Sequence, residues 1–89
     1  MRAVITVIGK DSVGILAKVS TICAEHKANV IDVTQTVMQD LFAMIMLTDI
    51  SNMTTEFGVL SDKMKELGEK ETLSIHVMHE DIFNSMHKI

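Results

Sequence analysis

The stretch VIGKDSVGILAKVS, residues 7–20, passes from a β-branched run through two glycines and an acid into a helix-like pattern. Before it, RAVITVI at 2–8 is rich in β-branched side chains and reads as a central strand, apolar on both faces. After it, Ile15, Leu16, Val19, Ile22, Cys23 and His26 recur at helical spacing with Lys18, Glu25 and Lys27 on the other side, giving an amphipathic helix of about three turns.

Outward from this strand–loop–helix unit, ANVIDVTQTVMQ at 28–39 alternates Ile31, Val33 and Val37 with Asp32, Thr34 and Thr36, the period of a strand buried on one face. A tight turn at Gln39 and Asp40 joins it to LFAMIMLTDI at 41–50, which is apolar on both faces and predicts a strand covered on both sides. Phe57, Leu60, Met64 and Leu67 form a second helical stripe that Gly68 is expected to close. ETLSIHVMH at 71–79 alternates as a fourth strand, and Ile82, Phe83, Met86 and Ile89 give the tail an apolar side. The order predicts an α+β, ferredoxin-like βαββαβ sandwich with a four-stranded antiparallel sheet and a short C-terminal helix. The expected division is a single domain over 1–89, with a core at 1–79 and the helix at 80–89. Two helices cover one sheet face, so Val4 and Met78 on the other need the terminal helix or a second copy above them.

Composition narrows the function classes. The chain has 89 residues, 47% apolar and 22% charged, with a net charge of −4 and one cysteine. It carries no basic stripe for direct nucleic-acid binding, no apolar run of the ~20 residues a membrane helix needs, and no secretory pattern, so a cytoplasmic protein is expected.

The glycines at 9 and 14 have P-loop spacing, but Ile15 and Leu16 stand where a lysine and a hydroxyl residue belong. Gly14, in the first helical turn at a cost of about 1 kcal/mol, suggests a close backbone approach. The helix start suits a carboxylate and Asp11 an ammonium, together an amino-acid zwitterion; alternatively Asp11 or Ser12 caps the helix. Cys23 and His26 lie one turn apart on an apolar stripe, where cysteine behaves as a small hydrophobe, so no enzyme is expected. His76, His79, Glu80 and His87 are ligand types, but His76 and His79 point to opposite strand faces; neither metal nor cofactor is expected. The eight methionines suit an adaptable core or interface.

The segments AVITVIGKDSVGILAKVS at 3–20, ANVIDVTQTVMQD at 28–40 and HEDIFNSMHKI at 79–89 resemble the ACT domain, in particular small stand-alone ACT proteins related to the glycine cleavage system repressor. The resemblance covers the whole chain. It implies a non-catalytic regulatory module that binds an amino acid or similar small ligand at the interface of a homo-oligomer and acts through a partner protein. In amino-acid-binding members the ligand sits between the first strand-to-helix loop and the start of a partner's second strand. The matching positions are Gly9, Asp11, Gly14, Asn29, Val30 and Ile31. The competing implication is a dimerisation or protein-docking module with no small ligand.

Overall fold

The computed structural model describes residues 1–10 and 13–87. Its elements are β1 (Arg2–Gly9), α1 (Ile15–Glu25), β2 (Asn29–Met38), β3 (Leu41–Asp49), α2 (Phe57–Glu71), β4 (Ser74–His79) and α3 (Glu80–Met86). The four strands form one sheet in the order β2-β3-β1-β4, antiparallel throughout. The two helical crossovers are therefore interleaved, which is the ferredoxin-like arrangement expected from the element order.

The helices bury stripes at i, i+4 and i+8: Ile15, Val19 and Cys23 on α1, and Leu60, Met64 and Gly68 on α2. Both stripes face Ala3, Ile5, Val7, Phe42, Met44, Met46 and Ile75, the sealed side of the sheet. Thr48 enters this core because its hydroxyl donates to the Ala3 carbonyl at 3.1 Å, which offsets the cost of burying it.

Four local expectations are corrected. Gly68 does not end α2; the helix runs to Glu71 and stops at Thr72, whose φ is 58°. A Cβ at Gly68 would stand 2.8 Å from the Leu73 carbonyl oxygen, so glycine is needed there for the close approach of β4. On β2, Val30 pairs with Thr48 and Asp32 with Leu47, leaving Ile31 as the extra residue of a bulge. Val30 and Val33 consequently pack on the core, while Ile31 and Val37 are exposed. On β3 only one face is sealed: Leu41 and Ile45 stand about half exposed on the other. Finally, α3 lies on that second face, against β1 and β4, and buries Val4 to 3%. The Arg2 guanidinium clamps it through a two-pronged pair with Glu80, at 3.0 and 2.7 Å. Only Phe83 of its expected apolar side is half-buried; Ile82 and Met86 are exposed, and Ile89 lies outside the described residues.

Candidate functional site

The two halves of the site expected from the sequence fall at opposite ends of the sheet. Gly9 ends β1 beside Phe42, whereas Asn29 pairs with Asp49, the partner of Arg2 at the other end of β1. Seven steps of strand separate Arg2 from Gly9, roughly 23 Å.

At the first end, Gly14 is the residue before α1 and has φ 71°, ψ 5°, a left-handed conformation that costs other residues about 1–2 kcal/mol. This corrects the expected close approach: a Cβ at Gly14 would have only the Lys18 Cε nearby, at 3.9 Å. The tight contact is at Gly9, where an added Cβ would lie 2.2 Å from a Leu73 methyl. Gly14 has no side chain with which to cap α1, and its carbonyl accepts from the Lys18 N–H at 3.0 Å. The Lys18 ammonium pairs with Glu71 of α2, tying the start of one helix to the end of the other. Asp11 and Ser12, on which the ammonium and capping readings rest, lie outside the described residues.

At the second end, Asn29 and Val30 line a cavity of about 490 Å³ where α1 turns into β2, walled also by Ser20, Ala24, Lys27 and Asn52. Two features shape this corner. Lys27 takes φ 60°, which folds the chain back so that the Ala28 N–H reaches the Cys23 carbonyl at 2.8 Å. The His26 carbonyl accepts from the Thr54 N–H at 3.3 Å, which draws the loop carrying Asn52 toward α1. Ser20, Lys27, Asn29 and Asn52 contribute a hydroxyl-, an ammonium- and two amide-bearing side chains to a lining that is otherwise Ala24, Ala28 and Val30 and is mainly apolar. Ile31 sits in the bulge beside the cavity and does not line it.

Ser20, Lys27 and Asn52 were not singled out from the sequence. Asn52 is 23 residues from Asn29, and the signal that joins them, the pairing of Asn29 with Asp49, exists only once strand register is known. Nearby, Ser51 donates its backbone N–H to Asp49 at 2.9 Å and holds that carboxyl below its ordinary range.

The remaining reactive groups are packed or hydrogen-bonded locally. Cys23 is fully buried and burial pushes its thiol up to about 11, so it is protonated at neutral pH. His26 is buried and its Nδ1–H donates to the Ile22 carbonyl at 2.8 Å. His79 packs on the Phe57 ring at 4.1 Å and His87 stacks on Phe83 at 4.2 Å, each held by an aromatic side chain. His76 Nε2 lies 3.2 Å from the Ser74 hydroxyl. Among the described residues no three of His, Cys, Asp and Glu stand together as metal ligands would, and no helix is long and apolar enough to cross a membrane.

Three comparisons bear on this architecture. The sequence profile of the ACT domain matches residues 2–78. A UPF0237 protein of Clostridium perfringens is 54% identical over 89 residues, the whole of both chains. Among solved structures, an ACT domain protein from Streptococcus pneumoniae superposes with a TM-score of 0.80 at 35% identity, over 93% of each chain. A putative glycine cleavage system transcriptional repressor shares the fold, with a TM-score of 0.67 at 24% identity over 85% of this chain and 43% of that one.

Proposed function

The chain belongs to the ACT domain family, and from that membership we propose that it senses a small metabolite, an amino acid before others, where two copies meet. ACT domains are in general regulatory and ligand-binding rather than catalytic, and on this reading the chain is a cytoplasmic module whose output passes through a partner protein.

One observation carries the reading. The cavity at the start of β2 opens beside an edge strand, and β2 has a free side because the sheet order is β2-β3-β1-β4. Pairing two β2 strands antiparallel about a two-fold axis lays the Asn29 end of one against the Met38 end of the other. That second end is the one that holds Gly9 and Gly14, since Gly9 pairs with Phe42 and Phe42 with Val37. Two half-sites remote within a protomer become neighbours across the pair. In this arrangement the first turn of α1 receives the ligand carboxylate, Asp11 its ammonium, and Asn29 of the other copy adds an amide contact, with Val30 and Ile31 beside it.

The test is thermal stability against each of the twenty amino acids, read with an extrinsic dye because the chain has no Trp or Tyr. Saturation at about 100 times the dissociation constant adds roughly 2.7 kcal/mol per site, or about 10–20 °C for a domain near this size. Asp11→Ala and Asn29→Ala should each remove most of that shift. If Asp11 only caps α1, Asp11→Ala costs about 1 kcal/mol and keeps the full response. If no amino acid moves the melting point, the alternative of a dimerisation or docking module stands in its place.

A further inference from the structure

The two helices that seal the sheet leave a seam of their own. The start of α1 meets the end of α2 at the Lys18–Glu71 pair, and Ile22 further along α1 lies opposite Lys63 and Glu66, so the helices run antiparallel with a trough between them. The trough is made of two adjoining hollows, of about 360 and 180 Å³, that share Ile22, Leu67 and Lys70. Its floor is apolar. Ile22 and Leu67 border the core without being sealed in it, Ala17 is exposed beside them, and the Thr21 hydroxyl is turned back on the Ala17 carbonyl at 2.8 Å. We propose that this trough is the docking site for an acidic amphipathic helix of a partner protein. The inference gives a surface and a partner class to the reading that output passes through another protein, and it rests on that part of the reading alone.

Charge is the first feature that commits the trough to this occupant. Among the described residues Lys18 is taken up by Glu71, while Lys63 and Lys70 pair with no acid. The lining sets three lysines, at 18, 63 and 70, against Glu66 and Glu71, a net +1 on a chain of net −4. A positive trough on an acidic surface attracts a negative partner and fixes its register.

The second feature is dimension. Lys63 and Lys70 stand seven residues apart on α2, two turns or roughly 10 Å, with Leu67 between them. A helix presents apolar anchors at i, i+3, i+4 and i+7 over the same length. One apolar stripe therefore reaches Ile22 and Leu67 while acids on its flank reach both lysines.

The third is where the polar groups stand. A small-molecule site closes around its ligand with a few convergent polar groups that orient it. Here the free charges lie on an open rim, at exposed Lys63, Glu66 and Lys70, and among the described residues no buried side-chain nitrogen or oxygen lacks a partner. A second copy does not supply the helix, because α1 and α2 are the walls themselves and the seven residues of α3 are clamped to the sheet through Glu80. An anionic membrane repels a chain of net −4 that offers it two free lysines.

The probe is a synthetic stapled helix of about four turns, with leucines at i, i+3, i+4 and i+7 and glutamates beside them, titrated into the isotope-labelled full chain with no amino acid present. Amide resonances of Thr21, Ile22, Leu67 and Lys70 should shift and saturate. Lys63→Glu combined with Lys70→Glu, at two exposed positions that the fold does not need, should weaken binding about tenfold, and a helix with lysine in place of glutamate should recover it on that variant. No shift at these residues with millimolar peptide, shifts centred on another surface, or equal affinity of the acidic and basic helices for the wild type overturns the proposal. So do anionic phospholipid vesicles that move these amides where the acidic helix does not, and so does their movement on dilution of the protein alone, which would seat a second copy in the trough. Because the assay holds no amino acid, its failure leaves the melting test of the ligand site untouched, and a flat melting test leaves this docking site standing.

Discussion

On β3, Phe42, Met44 and Met46 are sealed beneath α1 and α2, while Leu41 and Ile45, equally apolar and one residue out of phase, stand half exposed on the opposite face. The difference teaches that apolarity along a strand states a demand for cover without stating what meets it. Two full helices satisfy one face. The other has a seven-residue helix that reaches β1 and β4, secured by Arg2 and Glu80 and by Phe83. One face thus carries the protomer's stability, and the other is available for association.

The largest effect separates the faces directly. Met46→Ala opens a cavity in the sealed layer and should cost about 2–5 kcal/mol, whereas Ile45→Ala should cost under about 1 kcal/mol within the protomer. Chemical denaturation of both, at several protein concentrations, checks this. Any loss in Ile45→Ala that grows with concentration measures what a second copy adds on the open face, and equal losses at all concentrations would erase the distinction.

The sealed face also holds the one thiol. Because the pKa of Cys23 is raised in the folded state, the stability linked to it is complete below the unfolded value of 9.0 and is lost as pH rises toward about 11. The loss amounts to about 2 kcal/mol. A stability profile across that window should fall in the wild type and stay flatter in Cys23→Ala. A native thiol that reacts at once with an aromatic disulfide reagent would show that the layer is not sealed.

Two glycines of α2 give a smaller contrast of opposite sign. Gly68→Ala would press a methyl to 2.8 Å from the Leu73 carbonyl and should cost roughly 1–2 kcal/mol. Gly58→Ala meets nothing within 4 Å and should gain about 0.5 kcal/mol from helix propensity. Melting temperatures that fell for both would mean that Gly58 serves a contact beyond the protomer.

The smallest effect concerns the corner beside the cavity. Asp49 accepts from Ser51 and its pKa is lowered on folding, so its contribution is present above the unfolded carboxylate range and fades as pH falls through the folded value. Asp49→Asn should lie slightly below the wild type at neutral pH and converge with it in acid. A constant gap at all pH values would assign the Ser51 turn no charge-dependent role.

The sequence by itself determined the element order and, from it, the ferredoxin-like sandwich. Strand and helix periods are local properties: Ile15, Val19 and Cys23, or Leu60 and Met64, fall on one side of a helix wherever it packs. The same local logic identified the loop with Gly9 and Gly14 as chemically distinctive, whereas Asn29 and Val30 entered only through the family resemblance. Tertiary structure decided everything that depends on what lies opposite. The bulge at Ile31 turns Val30 toward the core because β2 must pair with β3 and also follow α1. Gly68 stays helical because Leu73 returns over it, and Gly14 is glycine for its left-handed backbone rather than for a neighbour. Asn52 joins Asn29 only through strand register, and the 23 Å between the two half-sites follows from the same register. Pairing and packing bring together residues far apart in sequence, and no periodicity within a single segment records which of them will meet.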